Sequence, residues 1–231
     1  MLNFFVTGTD TDVGKTLISA ALLKAFAAHN MKCVGYKPIS AGCTLHNGQL
    51  ENEDAVLLKT CGNVDVSLSQ VNPIAFEPPI APHIAASEVQ QSIDVETLHR
   101  GIQVLKEKKP DVLLTEGAGG WLLPINRNVT LADVIEPLDM QIVIVFGMRL
   151  GCLNHALLTV EAIQSRGFKI AGWVANHLST DMPYAQQNIE TLCDFIDAPL
   201  LGEVPYFDGA NSPMEKVALV QSHIDISPLI K

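Results

Sequence analysis

The sequence is poor in several features, and each shortage excludes a class of protein. Its five cysteines (Cys33, Cys43, Cys61, Cys152 and Cys193) are odd in number and form no Cys-x-x-Cys pair. That excludes a disulfide framework and leaves no zinc-ligand spacing. Positive charge is scarce: 15 Lys and Arg stand against 25 Asp and Glu, for a net charge of −10. Such a surface does not suit nucleic acid, although one small phosphate ligand needs only local positive charge. Long apolar runs are missing. The longest, Ile142 to Met148, is too short to cross a bilayer, so no membrane partner is expected. Strand-like sequence begins at about Asn3 with no basic segment before it, which gives no secretory signal and makes the cytoplasm the expected compartment. No repeat, low-complexity stretch or linker divides the chain. Residues 1–231 read as a single domain, long enough to bury a full core.

What is present is alternation. Short apolar, β-branched runs at 3–7, 32–36, 111–116, 141–146, 169–175 and 199–204 read as strands. Between the first two, apolar positions 17, 18, 21, 22, 25 and 26 form one helical stripe. Similar patterns cover 94–107, 152–165 and 184–196, with a shorter one at 53–60. Strands such as "QIVIVFG" are apolar throughout, as in a parallel sheet with both faces covered by helices. The expected fold is a doubly wound, mainly parallel α/β domain with ligands at the carboxyl ends of its strands. Cys43 to Ser92 is the least regular stretch, and "FEPPIAPH" within it is expected to break regular structure.

Polar residues at those strand ends carry the functional reading. In "GTDTDVGKT" the run Phe4-Phe5-Val6 leads into Gly8, and Lys15-Thr16 opens a helix, so strand, glycine loop and helix follow in order. A phosphate loop usually has four residues between its glycines, whereas Gly8 and Gly14 enclose five. Backbone N–H groups of 12–16 are placed to cradle phosphate, with Lys15 toward the outer phosphates and Thr16 toward Mg²⁺. Lys37 follows the second strand in "GYKPISAG", where a solvated turn lysine is the plain alternative. Asp54 begins a helix, where an N-cap or dipole role is the usual one. Glu116 ends a strand before a glycine turn, as a Mg²⁺-holding carboxylate does in phosphate-loop proteins, or as a surface glutamate would. Two cations and two carboxylates at one sheet edge suit Mg-ATP. His83 is explained by a hydrogen-bonded structural role, His155 by packing or solvent, and Trp121 and Trp173 by the core or an interface.

At this point "FFVTGTDTDVGKT" resembles the N-terminus of the dethiobiotin synthetases, whose loop has the same five-residue spacing. The resemblance continues through "GYKPISAG", "VNPIAFEPPIAPHIAA", "EGAGGWLLPI", "RLGCLNHALLT", "AGWVANH" and "PLLGEVPYF", nearly the whole chain in family order. It implies a cytoplasmic homodimer that uses ATP, Mg²⁺ and CO2 (or bicarbonate) to close the ureido ring of 7,8-diaminononanoate in biotin synthesis. It also implies nucleotide contacts from Asp12, Val13, Gly14, Lys15, Thr16, Leu17, Asp54, Glu116, Gly117, Ala118, Gly119, Asn176, His177, Pro205, Tyr206 and Phe207. Thr16, Asp54 and Glu116 match the Mg²⁺ ligands, and Lys37, with Lys15, the catalytic lysines. Leu150, Gly151 and Asn154 match a segment that reaches the diamine's carboxylate from the other subunit. One departure stands out: Ala41 replaces a Ser or Thr whose hydroxyl helps to bind substrate, and Ser40, one position earlier, is the candidate replacement. The chemistry implied needs no enzyme nucleophile, so the lack of a Ser-His or Cys-His pair is no objection. The rival classes are a related ligase with another substrate and a partitioning-type regulatory ATPase. The latter group carries a signature lysine early in the loop, and no lysine lies between Gly8 and Gly14.

Overall fold

A computed structural model describes residues 1–209 and 212–230. The first half of the chain runs β1 (Leu2–Gly8), α1 (Lys15–Ala28), β2 (Cys33–Tyr36), β3 (Ile39–Ser40), β4 (Thr44–His46), β5 (Gln49–Glu51), α2 (Glu53–Cys61), α3 (Leu68–Val71), β6 (Ile74–Ala75), α4 (Pro82–Glu88) and α5 (Val95–Glu107). The second half runs β7 (Val112–Glu116), α6 (Leu131–Ile135), β8 (Gln141–Met148), α7 (Cys152–Gln164), β9 (Ile170–His177), α8 (Ala185–Phe195), β10 (Leu200–Val204) and α9 (Pro213–Gln221). Six strands make the main sheet in the order β10-β9-β8-β1-β7-β2, with every pairing parallel. Strand β7 is buried along its whole length and β8 at all positions but Gln141, as both faces of a covered sheet require.

The connections explain where a ligand fits. The chain leaves β1 toward β2 on one side of the sheet and leaves β8 toward β9 on the other. With right-handed crossovers, α1 therefore lies on one face and α7 and α8 on the opposite face. Helix α1 packs there with α2 and α9, while α7 packs with α8. The order reverses between the neighbours β1 and β8, which opens a crevice at their carboxyl ends.

All six main strands match the sequence expectation to within a couple of residues. The stretch from Cys43 to Ser92 is more regular than expected. It holds the hairpin β4–β5, turned by Asn47 and Gly48 at φ 49° and 81°, followed by α2, α3 and α4. Positive φ at both turn residues is what Asn-Gly supplies in a tight hairpin. "FEPPIAPH" does break the chain as far as Ala81, but Pro82 and His83 open α4. Pro82 stands at the helix start, where its missing N–H leaves nothing unpaired.

Outside the crevice, Asp133 ties two elements together. Its carboxylate accepts from the Thr130 N–H at 2.6 Å and the Thr130 hydroxyl at 2.7 Å, capping α6. It also accepts from Arg166, just past α7, at 2.6 Å. The Arg166 hydrogen bond, followed by those from Thr130, brings its pKa down to about 2 from 3.8. A depressed carboxylate stabilises the fold above its unfolded value, and that contribution fades as pH falls from 3.8 toward about 2. The side chain is 37% exposed, so solvent screens the pair. Asp133→Asn is expected to cost about 1 kcal/mol near neutral pH, or roughly 2–4 °C in Tm. Thermal melts of parent and variant should draw together steadily below about pH 4. A gap independent of pH would assign the effect to shape and not to charge.

Candidate active site

The loop from β1 to α1 crosses the carboxyl edge where the sheet order reverses. Space dictates both of its glycines. A Cβ on Gly8 would stand 2.5 Å from Val13 Cγ2, and one on Gly14 would run into the Asn176 amide. Gly14 also has φ 91°, in the left-handed region. As N-cap of α1 it carries no side-chain cap, and the first turn holds no acid. The helix's first N–H groups and positive end are left for an anion. From β9, Asn176 Nδ2 donates to the Val13 carbonyl at 2.8 Å and braces the loop.

Around this loop the structure assembles the four charges singled out in the sequence. Lys15 is buried, and its Nζ donates to the Asp10 carbonyl at 2.7 Å. Burial, and next the charge of Lys37, pull its pKa down to about 8. Lys37 is 4% exposed, which excludes the solvated turn lysine. Its ammonium donates to Glu116 Oε1 at 2.5 Å, to Asp54 Oδ2 at 3.0 Å and to the Gly117 carbonyl at 3.4 Å. Burial alone would lower its pKa. Glu116 and Asp54 together outweigh that and hold it above the ordinary lysine value. Glu116 is fully buried at the end of β7, so it is no surface glutamate. Asp54 is not the cap of α2: Asn52 is, accepting from the Ala55 N–H at 3.3 Å. Asp54 stands in the first turn and faces Lys37.

The donor set suits one kind of metal. The Thr16 hydroxyl donates to Glu116 Oε1 at 2.7 Å, while the other oxygen, Glu116 Oε2, is buried without a hydrogen-bond partner. Thr16, Asp54 and Glu116 offer hard oxygens only, and one buried acceptor remains unused. Mg²⁺ takes one or two carboxylates and completes its shell with water and phosphate, so these residues fit it. Among the described residues no group of three or more His, Cys, Asp or Glu side chains is placed to hold a metal ion by itself.

A cavity of about 770 Å³ is lined by Asp12, Gly14 to Leu17, Lys37, Ser40, Ala41, Asp54, Ala118 and Gly119, among others. Thr11, Asn52, Leu123 and the Pro79–Pro82 stretch complete its walls, and none of these is a site residue expected from the sequence. Asn52 was the most legible, since Asn just before an acidic helix start is a cap signal. Ser40 lies in the wall, but its hydroxyl donates to Asn72 Oδ1 at 2.7 Å and lies 3.1 Å from Cys43 Sγ. It is therefore already engaged, and Ala41 offers no hydroxyl.

The remaining candidates lie outside that wall. His177 meets Glu203 at 2.8 Å across β9 and β10, Phe207 packs on His223, and Tyr206 is exposed. Pro205 and Phe207 are half-buried beyond the end of β10, and Gly117 reaches the site through its carbonyl. Leu150, Gly151 and Asn154 are all exposed and do not line the cavity. Gly151 caps α7 without a side-chain bond, and Leu150 is wholly accessible. The adjoining Arg149 reaches Asp10 of the phosphate loop at 2.6 Å. Trp121 and Trp173 are core residues.

A phosphate-cradling loop at the switch point of a parallel sheet, with a lysine inside it and a buried carboxylate on the adjacent strand, defines a phosphate-loop NTPase. The MinD cell division protein of Aquifex aeolicus shares this fold, with a TM-score of 0.54 at 12% identity over 94% of this chain and 87% of that one. A family model described as an AAA domain matches residues 3–213. The chain is 47% identical to the ATP-dependent dethiobiotin synthetases BioD of Aeromonas hydrophila and Aeromonas salmonicida, over 99% of this chain and 99% of each relative. It belongs to the ATP-dependent dethiobiotin synthetase family.

Proposed function

We infer that the chain is an ATP-dependent dethiobiotin synthetase, a C–N bond-forming cyclo-ligase. The single observation that carries this reading is Lys37, buried between Glu116 and Asp54 in the cavity that Lys15 also lines. In the reaction, one amine of 7,8-diaminononanoate attacks CO2, giving a carbamate and releasing a proton. A carbamate oxygen attacks the γ-phosphorus of ATP, the bond to the bridging oxygen breaks, and ADP leaves. The second amine attacks the resulting carbamic-phosphoric anhydride at carbon, the ring closes, and phosphate leaves with its bonding electron pair as the amine loses a proton.

The protein's task is to hold two anions together and to meet the charge that moves between them. Lys15 and the free N–H groups of α1 hold the β- and γ-phosphates. Lys37 enters from a separate strand end and is placed to follow the transferring group. Thr16, Asp54 and Glu116 would hold Mg²⁺, which supplies charge neutralisation at the phosphate oxygens. Asp12, Val13 and Leu17 flank the phosphates, Ala118 and Gly119 line the cavity, and Asn176, His177, Pro205, Tyr206 and Phe207 lie toward the nucleoside. The enzyme acts as a cytoplasmic homodimer in which Leu150, Gly151 and Asn154 of one subunit serve the diamine carboxylate of the other. The exposure of that segment, outside its own subunit's cavity, supports this arrangement.

Label from radioactive bicarbonate should enter an acid-stable product only when both ATP and the diamine are present. Label fixed without the diamine would contradict the proposed substrate.

A further inference from the structure

We propose that Asn72 is a positioning residue that sets Lys37 in place through the main chain, a role that rests on the reading of Lys37 above. Asn72 sits buried between α3 and β6, distant in sequence from Lys37 but beside it in space. Its Nδ2 donates to the Lys37 carbonyl at 2.7 Å and to the Ile74 carbonyl at 3.1 Å. Its Oδ1 accepts the Ser40 hydroxyl at 2.7 Å. The Lys37 N–H in turn donates to the Val71 carbonyl at 2.8 Å. Both main-chain polar groups of Lys37 are therefore held by consecutive residues of one segment, and β3 pairs with β6 directly afterwards.

The side-chain chemistry is specific. The bonds to Lys37, Ile74 and Ser40 need two donors and one acceptor on one planar group, which only an amide supplies. Aspartate would set a carboxylate against two carbonyls, and alanine would leave two carbonyls and a hydroxyl without this partner. Pro38 fixes φ on the far side of Lys37, so the root of the lysine has little freedom left. A displacement of about 1 Å at such a root is enough to reduce catalysis about a hundredfold.

Two readouts test this. In Asn72→Ala, hydrogen exchange in the peptide covering 37–43 should rise at least about tenfold, with the phosphate-loop peptide unchanged. This measurement does not depend on the reaction, so a parent that makes no dethiobiotin would sink the functional reading and leave the clamp still decided. The rate of dethiobiotin formation should fall about tenfold or more with the ATP KM unchanged, and should fall no further when Asn72→Ala is added to Lys37→Met. Unchanged exchange, or equal losses in both backgrounds, would overturn the proposal. Should Asn72→Ala fail to fold, Ser40→Ala removes one arm of the clamp and should show the same pattern at about threefold.

Discussion

Lys37→Met should lower turnover by at least about a hundredfold while leaving ATP affinity within about threefold of the parent. Lys15 and the uncapped N–H groups at the start of α1 are, in the proposed reading, a phosphate cradle that does not need Lys37. An interaction made chiefly with the group in transit appears in the rate and not in ground-state binding. The substitution also leaves Glu116 buried without its cation, which threatens stability. Binding and single-turnover rates should therefore be compared in excess Mg²⁺, on protein whose melting transition is intact. Equal losses in affinity and rate would make Lys37 a plain phosphate clamp.

Mixing an inactive Lys15→Ala enzyme with an inactive Asn154→Ala enzyme should restore activity, to about a quarter of the parent level if exchange is random and each site acts alone. In a mixed dimer of the proposed kind, one site would draw its loop from the undamaged Lys15 subunit and its diamine contacts from the undamaged Asn154 subunit. The other site collects both lesions. The prediction rests on Leu150, Gly151 and Asn154 lying exposed and outside the cavity of their own chain. Arg149, next to that segment, donates to Asp10 of the phosphate loop at 2.6 Å. No recovery across mixing ratios, with exchange confirmed by mass, would place the whole site within one chain.

The main sheet was legible because burial on both faces leaves a plain mark, an unbroken apolar strand such as "QIVIVFG". The loop was legible because close approach demands glycine, and Gly14 faces Asn176 at a distance that admits no Cβ. Helix α9 was missed, although Ser212 accepting from the Glu215 N–H is a readable cap signal. The hairpin at Asn47-Gly48 was missed because its strands are short and largely exposed, so they lack the alternation that a buried face imposes. The engagement of the Ser40 hydroxyl lay beyond reach. It depends on Asn72, brought beside it by the pairing of β3 with β6, and no local pattern records that contact.

The coupling of ATP cleavage to the diamine tests the central claim most directly. ADP release should be measured with 7,8-diaminononanoate and bicarbonate together, then with each omitted in turn. Release that requires both, with one dethiobiotin formed for each ADP, is the predicted result. ATP turnover that proceeds at the same rate without the diamine would contradict it.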